Sequence, residues 1–281
     1  MNYMLITNLP EIARHVVLHG VKRVFVDLEI LGKVARQGHL NTVISRHSLD
    51  DVQRIRAAIG QAELLVRINP LNEDTQQEID DVIARGADIV MLPMFHDAAA
   101  VRRVAQLIDG RARLIPLVET VGGARALAEI MATPGVSGVH IGLNDLHLEL
   151  GCDFMFEPLA NGMMDELAAV ARSSGLPFGM GGVARVGEGL LPAEVILGEH
   201  VRLGSTCAIL SRTFHRNAGS LAELNAEMDF GNEISKLDQV EAGFLHAPPA
   251  VLEENRVRLV NIVNDIVAQK RAAVRGSAPA P

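Results

Sequence analysis

Five residues carry the chemistry this sequence could do. Asp27, Glu29, Glu119 and Asp145 are carboxylates and Arg67 is a guanidinium. Each ends or directly follows a short aliphatic run: RVFVDL at 23–28, ELLVRI at 63–68, ARLIPLVET at 112–120 and GVHIGL at 138–143. Like carboxylates crowded in one cleft repel, and they cannot all stay ionised unless a cation joins them. Oxygen donors without a Cys or His cluster favour Mg2+ or Mn2+ over zinc. With two of these carboxylates as protein ligands, such an ion keeps positions for a bidentate 2-oxo acid and acts as a Lewis acid that stabilises an enolate. Arg67 would then supply a fixed positive fork beside the developing enolate oxygen. Any one acidic residue at such a place is more often a helix cap or a solvated loop group. The case rests on all of them falling at equivalent positions.

Those positions are equivalent only if the runs are parallel strands. Short aliphatic runs alternate with helix-period segments along most of the chain, with runs at 3–7, 23–28, 63–68, 88–93, 112–120, 138–143, 177–183 and 201–210. Gly20 and Gly86 are placed to end helices, and Ser48 with Asp50 and Asp51 behind it reads as a helix start. Eight strands with crossover helices predict a (β/α)8 TIM barrel rather than an open doubly wound sheet. Such a sheet would carry a Gly-rich loop after its first strand, where this chain has Asn8-Leu9-Pro10. In a barrel, functional groups collect at the carboxyl ends of the strands. The barrel is expected to span residues 1–217. A helical extension over 218–275 would pack on it or on a partner subunit, with 219–245 as loop and short helix, and a disordered tail would cover 276–281.

Composition narrows the function classes. Apolar residues make up 48% of the chain, yet it has no Trp and one Tyr, so the core must be built from aliphatic residues and Met. That suits strands buried on both faces. A net charge of -8 and the lack of a dense Lys/Arg stretch argue against nucleic-acid binding. Two cysteines, Cys152 and Cys207, make neither a disulfide scaffold nor a Cys-rich metal site. With no signal-peptide pattern at the N-terminus and no membrane-length apolar run, a cytoplasmic protein is expected.

In order along the chain, VFVDLE at 24–29, LLVRINP at 64–70, GADIVMLPMF at 86–95, LIPLVET at 114–120 and GVSGVHIGLNDLHLELG at 135–151 resemble the HpcH/HpaI aldolase and citrate lyase β-subunit family. The more specific part is Glu-Thr at one strand end followed at the next by G-x-x-D-L-x-x-x-x-G. The resemblance implies a metal-dependent lyase or aldolase working on pyruvate- or acetyl-type enolates. It carries the metal ligands over to Glu119 and Asp145 and the enolate-stabilising arginine to Arg67. It places Asp27 and Glu29 near a metal-bound water, and sets the backbone of Gly142, Leu143 and Asn144 against the substrate carboxylate. Barrels of this kind are often multimeric, so a homo-oligomer is expected.

The chain departs from the pyruvate aldolases of that family. Their G-E-H motif has Leu28-Glu29-Ile30 in its place, and their loop before the fifth strand is reduced to Asp109-Gly110-Arg111. In these respects it is nearer to the citrate lyase β and malyl-CoA lyase branch. The irregular segment between the second strand and Ser48 offers replacements: His39 or His47 as general base, since an ordinary imidazole titrates near neutrality, with Gln37 and Arg46 as substrate contacts. His96, His140, His147, His200 and His215 read as structural. The glycines of GMGG at 179–182 read either as a phosphate loop or as a place of close backbone approach. Three functions follow. The first is a Mg2+- or Mn2+-dependent carbon–carbon lyase, or a synthase in reverse, on a small 2-oxo acid such as pyruvate or oxaloacetate. The second is a CoA-thioester lyase of the malyl- or citryl-CoA type. The third is a non-catalytic metal- and ligand-binding relative.

Overall fold

Val, Ile and Leu fill the strands because parallel strands walled by helices are buried on both faces. In the computed structural model, which describes residues 1–32, 47–215 and 218–276, eight such strands close into a barrel. They are β1 (Asn2–Ile6), β2 (Arg23–Asp27), β3 (Glu63–Arg67), β4 (Ile89–Leu92), β5 (Arg113–Val118), β6 (Val139–Ile141), β7 (Phe178–Val183) and β8 (Cys207–Leu210). Each pairs in parallel with the next, and β1 pairs with β8 to close the ring.

The two side-chain sets of the strands do different work. One set faces the surrounding helices and forms the main core: Val24 and Val26 of β2, Leu64 and Val66 of β3, and Val90 and Leu92 of β4 are all buried there. The other set fills the barrel interior with Met4, Phe25, Leu65, Ile89, Met91, Leu117 and Cys207. Because side chains alternate, continuing that second set to the strand ends brings up Asp27, Arg67 and Glu119. Parity along the strands therefore aims these three inward at the carboxyl-terminal mouth.

The local stops are readable in the chain. Pro10 opens the first helix (Pro10–Leu18), and Gly20 turns the chain at φ 98°. Ser48 and Asp51 form a reciprocal capping box at the helix Leu49–Ala58. Two expectations are corrected. Residues 201–203 belong to the helix Ala193–Leu203, not to the eighth strand; left-handed Gly204 (φ 79°) is the true stop, and β8 starts at Cys207. Residues 219–245 hold more helix than expected: Leu221–Glu227 is followed by the sixteen-residue Phe230–Leu245, which Asp229 caps through the backbone N–H of Asn232 at 3.0 Å. The last helix, Pro249–Gly276, lays Leu259, Val263 and Val267 into the main core, and Asn255 Nδ2 donates to the carbonyl of Val195 at 3.0 Å.

Candidate active site

Parallel register fixes the first pair. Asp27 lies opposite Arg67, so their side chains meet inside the mouth. Arg67 Nε donates to Asp27 Oδ1 at 2.8 Å and Nη2 to Oδ2 at 2.9 Å, the two-point fork that a guanidinium and a carboxylate favour. Nη2 also lies 3.3 Å from Glu29 Oε2, and the ring of Phe25 lies 5.6 Å beneath the guanidinium carbon. Asp27 and Glu29 are both buried. Burial alone would lower the Arg67 pKa, but Asp27, Glu29 and Glu119 outweigh it and hold the guanidinium above its ordinary value. Arg67 is therefore a permanent cation in one orientation.

Glu119 follows β5, and the residues around it are matched to it. The backbone N–H of Met94, a residue in the uncommon left-handed region at φ 52°, donates to Glu119 Oε1 at 3.2 Å. A Cβ on Gly142 would come within 2.8 Å of Glu119 Cβ and 3.0 Å of Oε2, so glycine is needed there to admit the carboxylate. Thr120 does different work: its Oγ1 accepts from the N–H of Gly123 at 2.9 Å to cap the helix Val121–Arg125, and donates to the carbonyl of Phe95 at 2.5 Å. In the Glu-Thr pair, the glutamate faces the site and the threonine starts the next helix. Asp145 stands in the first turn of the helix Leu143–Glu149, directly after Gly142.

These elements enclose a cavity of about 210 Å³ lined by Arg67, Glu119, Gly142, Leu143, Asn144 and Asp145, with Leu117, Ile209 and His140 among its other walls. Burial pushes the Glu119 carboxyl up to about 8; Asp145 and Glu29 push it the same way, and Arg67 and the Met94 N–H oppose them. Charge adds to burial: among the described residues, Asp27, Glu29 and Glu119 act on the Arg67 guanidinium, Asp27 already occupies two of its nitrogens, and Asp145 sets like charge beside Glu119. Among the described residues, no three His, Cys, Asp or Glu side chains form a complete metal-binding group. What the donor set offers is two carboxylates, Glu119 and Asp145, one of them strongly disfavoured as an anion. An oxygen-preferring divalent cation fits such a pair, because it satisfies the excess negative charge and completes its shell from substrate and solvent.

The remaining predicted residues fall elsewhere. Asp27 and Glu29 do not border this cavity; they grip Arg67 from its far side. His47 accepts a hydrogen bond at Nδ1 from the backbone N–H of Asp27 at 3.0 Å, which leaves the proton of the neutral ring on Nε2. His47 lines a neighbouring cavity of about 300 Å³ with Asn69 and Glu78. Asn69 organises that edge: its carbonyl oxygen accepts from the N–H groups of Ile30 and Leu31 at 2.9 and 3.0 Å, and its Nδ2 donates to Glu78 at 2.6 Å. Gln37, His39 and Arg46 lie outside the described residues.

Two residues beyond the predicted set matter here. Asn69 holds the chain after β2. His140, read from sequence as structural, faces the barrel interior and borders the cavity. Strand β6 has only three residues, too few to show from sequence which face His140 takes.

The comparisons bear on family and fold. The model of the HpcH/HpaI aldolase/citrate lyase family matches residues 5–157, just over half of the chain. A (3S)-malyl-CoA thioesterase of Cereibacter sphaeroides is 36% identical over 107 residues, which is 37% of this chain and 36% of that protein; the same enzyme from a second strain is 31% identical over 105 residues. The aligned stretch thus spans about a third of these relatives. Among solved structures, an HpcH/HpaI aldolase/citrate lyase family protein of Burkholderia cenocepacia superposes with a TM-score of 0.61 at 16% identity, over 81% of this chain and 95% of the other. An HpcH/HpaI aldolase of Desulfitobacterium hafniense gives 0.59 at 15% identity, over 88% and 93%. At that identity the structures speak to the barrel fold alone. Among the described residues, no helix is long and apolar enough to cross a membrane.

Proposed function

The chain belongs to the HpcH/HpaI aldolase/citrate lyase family, and from that premise we propose that it is a divalent-metal-dependent carbon–carbon lyase, or a synthase in reverse, acting on a small 2-oxo acid such as pyruvate or oxaloacetate. One observation carries the reading. Glu119 is buried in a cavity where, among the described residues, Asp145 and Glu29 set like charge against it and Arg67 opposes them, and burial with these neighbours pushes its carboxyl up to about 8. A monoanionic substrate would meet net negative charge there unless a cation is bound first. Mg2+ or Mn2+, held by Glu119 and Asp145, would polarise the 2-oxo group.

This chain's own residues do the rest. Arg67 spends Nε and Nη2 on Asp27, leaving Nη1 as the donor for an oxygen on which negative charge develops. Asp27 and Glu29 keep that fork from turning, so no reorganisation is needed when charge appears. The backbone of Gly142, Leu143 and Asn144 receives the substrate carboxylate, and Leu117 and Ile209 give an apolar wall suited to a methyl group. The proton is moved by His39, with Gln37 and Arg46 as further substrate contacts; His47, whose Nδ1 accepts from the Asp27 N–H and whose Nε2 carries the ring proton, lines the adjoining cavity. A cytoplasmic homo-oligomer is the accompanying proposal.

The malyl-CoA thioesterase relatives favour a second reading, a thioester substrate whose acyl end enters the same cavity. Proton exchange separates the two. Metal-stripped protein is given pyruvate in heavy water with and without Mg2+ or Mn2+, and methyl deuteration is followed by NMR. Metal-dependent exchange supports the 2-oxo acid reading. No exchange, with cleavage of malyl-CoA, replaces it by the second. Neither activity leaves a non-catalytic ligand-binding protein.

A further inference from the structure

The barrel interior around His140 is mostly apolar and sulfur-bearing, with His200 and the Arg23 charge also acting there, and such surroundings penalise a polar ring unless it is hydrogen-bonded. His140 is the middle residue of three-residue β6 and is buried, with Leu117 and Gly179 as its register neighbours. Its Nε2 lies 3.1 Å from the carbonyl oxygen of Gly181, so the neutral ring carries its proton on Nε2 and donates it there. Its Nδ1 is buried without a partner and is turned to Gly179, where a Cβ would approach it to 2.4 Å. Glycine at 179 is what makes room for the ring.

The carbonyl it holds is an unusual one. Pairing of β7 with β8 jumps from Gly179–Cys207 to Gly182–Ile209, three steps against two, so one extra residue is accommodated in β7. Gly181 sits in that irregularity at φ 47°, a conformation that favours glycine. The half-buried carbonyl, displaced from the ladder, takes the imidazole as its donor. Gly181 also presses on the opposite wall, since a Cβ there would meet Leu143 Cδ1 at 2.9 Å. Leu143 begins the helix that carries Asp145.

We infer that His140 is a positioning residue: a neutral imidazole that pins the Gly181 carbonyl and so fixes both the Gly181–Gly182 wall of the cavity and the Leu143 loop packed against it. The glycines of GMGG then have separate tasks, one admitting the ring, one forming the bulge, and Gly182 lining the cavity. Histidine is required because a phenyl ring of similar shape fills the space but cannot donate. The proton on the ring serves structure and not transfer; burial, which pushes the imidazole down to about 4, keeps it neutral.

The kinetic part of this inference rests on the proposed 2-oxo acid reading, and the test separates the two. In protein labelled with 15N at histidine, the Nε2–H tautomer of His140 should persist unchanged from pH 5 to 8. A ring that titrates near its ordinary value, or one protonated on Nδ1, overturns the inference. His140→Phe and His140→Gln are then compared, the glutamine amide nitrogen standing where Nε2 stood. In His140→Phe, backbone amide exchange at Gly182, Val183 and Leu143 should speed up about tenfold while β2 and β3 keep their protection; His140→Gln should restore most of it. That readout needs no activity. With metal-loaded protein active on pyruvate, His140→Phe should raise KM about tenfold and leave kcat within about threefold, again with recovery in His140→Gln. Unchanged exchange and unchanged KM in His140→Phe would overturn the inference even if the lyase reading stands. Should His140→Phe not fold, the tautomer measurement and the glutamine variant still decide.

Discussion

The two ends of the barrel hold the same kinds of residue in opposite balance. At the amino-terminal end, Glu63 receives Arg23 at 2.7 Å on Oε2 and Arg113 at 2.7 Å on Oε1. Burial would raise its pKa, but the two guanidiniums outweigh burial and hold the carboxyl below its usual range. At the carboxyl-terminal end, among the described residues, Asp27, Glu29 and Glu119 share Arg67, and burial with the charges of Asp145 and Glu29 pushes Glu119 up to about 8. Both are glutamates beside arginines in the same barrel. What separates a structural ion cluster from a reactive site is the ratio of charges and the space around them. The first is closed electrically, and the second is where the proposed cation would sit.

The largest expected effect comes from removing the balance at the carboxyl-terminal end. Arg67→Lys keeps the charge but loses the two-point grip on Asp27 and the fixed direction. Metal-dependent pyruvate exchange should fall at least about 100-fold with modest change in stability. Near wild-type exchange would show that the fork is not needed and that the two ends are more alike than proposed. The next effect is a pH dependence. In the folded apoprotein Glu119 titrates near 8, against an ordinary value of 4.5. A raised folded-state pKa means the folded state holds a proton that the unfolded chain releases. That contribution is fully present below pH 4.5 and is lost as pH rises through 8, about 5 kcal/mol in all. Buried His140 and His200, pushed down to about 4 and about 3, act in the opposite direction at lower pH, so the informative quantity is wild type minus Glu119→Gln. Urea unfolding of metal-free protein should show Glu119→Gln more stable than wild type at pH 8 and nearly equal at pH 4, and added Mn2+ should rescue only the wild type. Parallel stability curves for the two proteins would mean that Glu119 is already matched in charge.

The legible part of this molecule was set by strand parity. Asp27, Arg67 and Glu119 follow alternating runs whose apolar members must face core or interior, so their inward direction is settled by residues two and four places earlier. Asp145 was legible through its place after Gly142, a glycine that the bulk of Glu119 enforces. His140 obeys the same parity, but β6 spans three residues, and so short a run gives no period to read. His47 looked like a mouth residue because it lies in the loop after β2. Its ring is instead drawn to the Asp27 N–H, and it faces the adjoining cavity, a tertiary contact that has no sequence signal. The end of the helix at Leu203 was missed because the apolar run passes from helix into strand with only Gly204 between them. The helix Phe230–Leu245 starts on the cap that Asp229 provides, inside a stretch whose polar composition reads as loop.

The smaller effects lie at the amino-terminal end, and they sharpen the contrast by being structural only. Glu63→Gln leaves Arg23 and Arg113 facing each other, and should cost about 1–2 kcal/mol, reduced from a fully buried pair because Glu63 keeps a third of its side-chain surface. Its sign with pH is the reverse of Glu119: a lowered folded-state pKa gives stability that is present above 4.5 and lost as pH falls further. Arg113→Ala should be weaker still, about 0.5 kcal/mol, because that side chain is 46% exposed and solvent screens its half of the cluster. Neither change should move pyruvate exchange or its metal dependence. If Glu63→Gln slowed exchange as much as it lowered stability, the interior layer of Phe25, Leu65 and Met91 would be transmitting strain from one end to the other. The barrel would then be one coupled unit, not two ends with separate tasks. Equal kinetics with lowered stability keeps them separate, because a close-packed aliphatic layer between two charged ones isolates them when neither end has to move for the other to work.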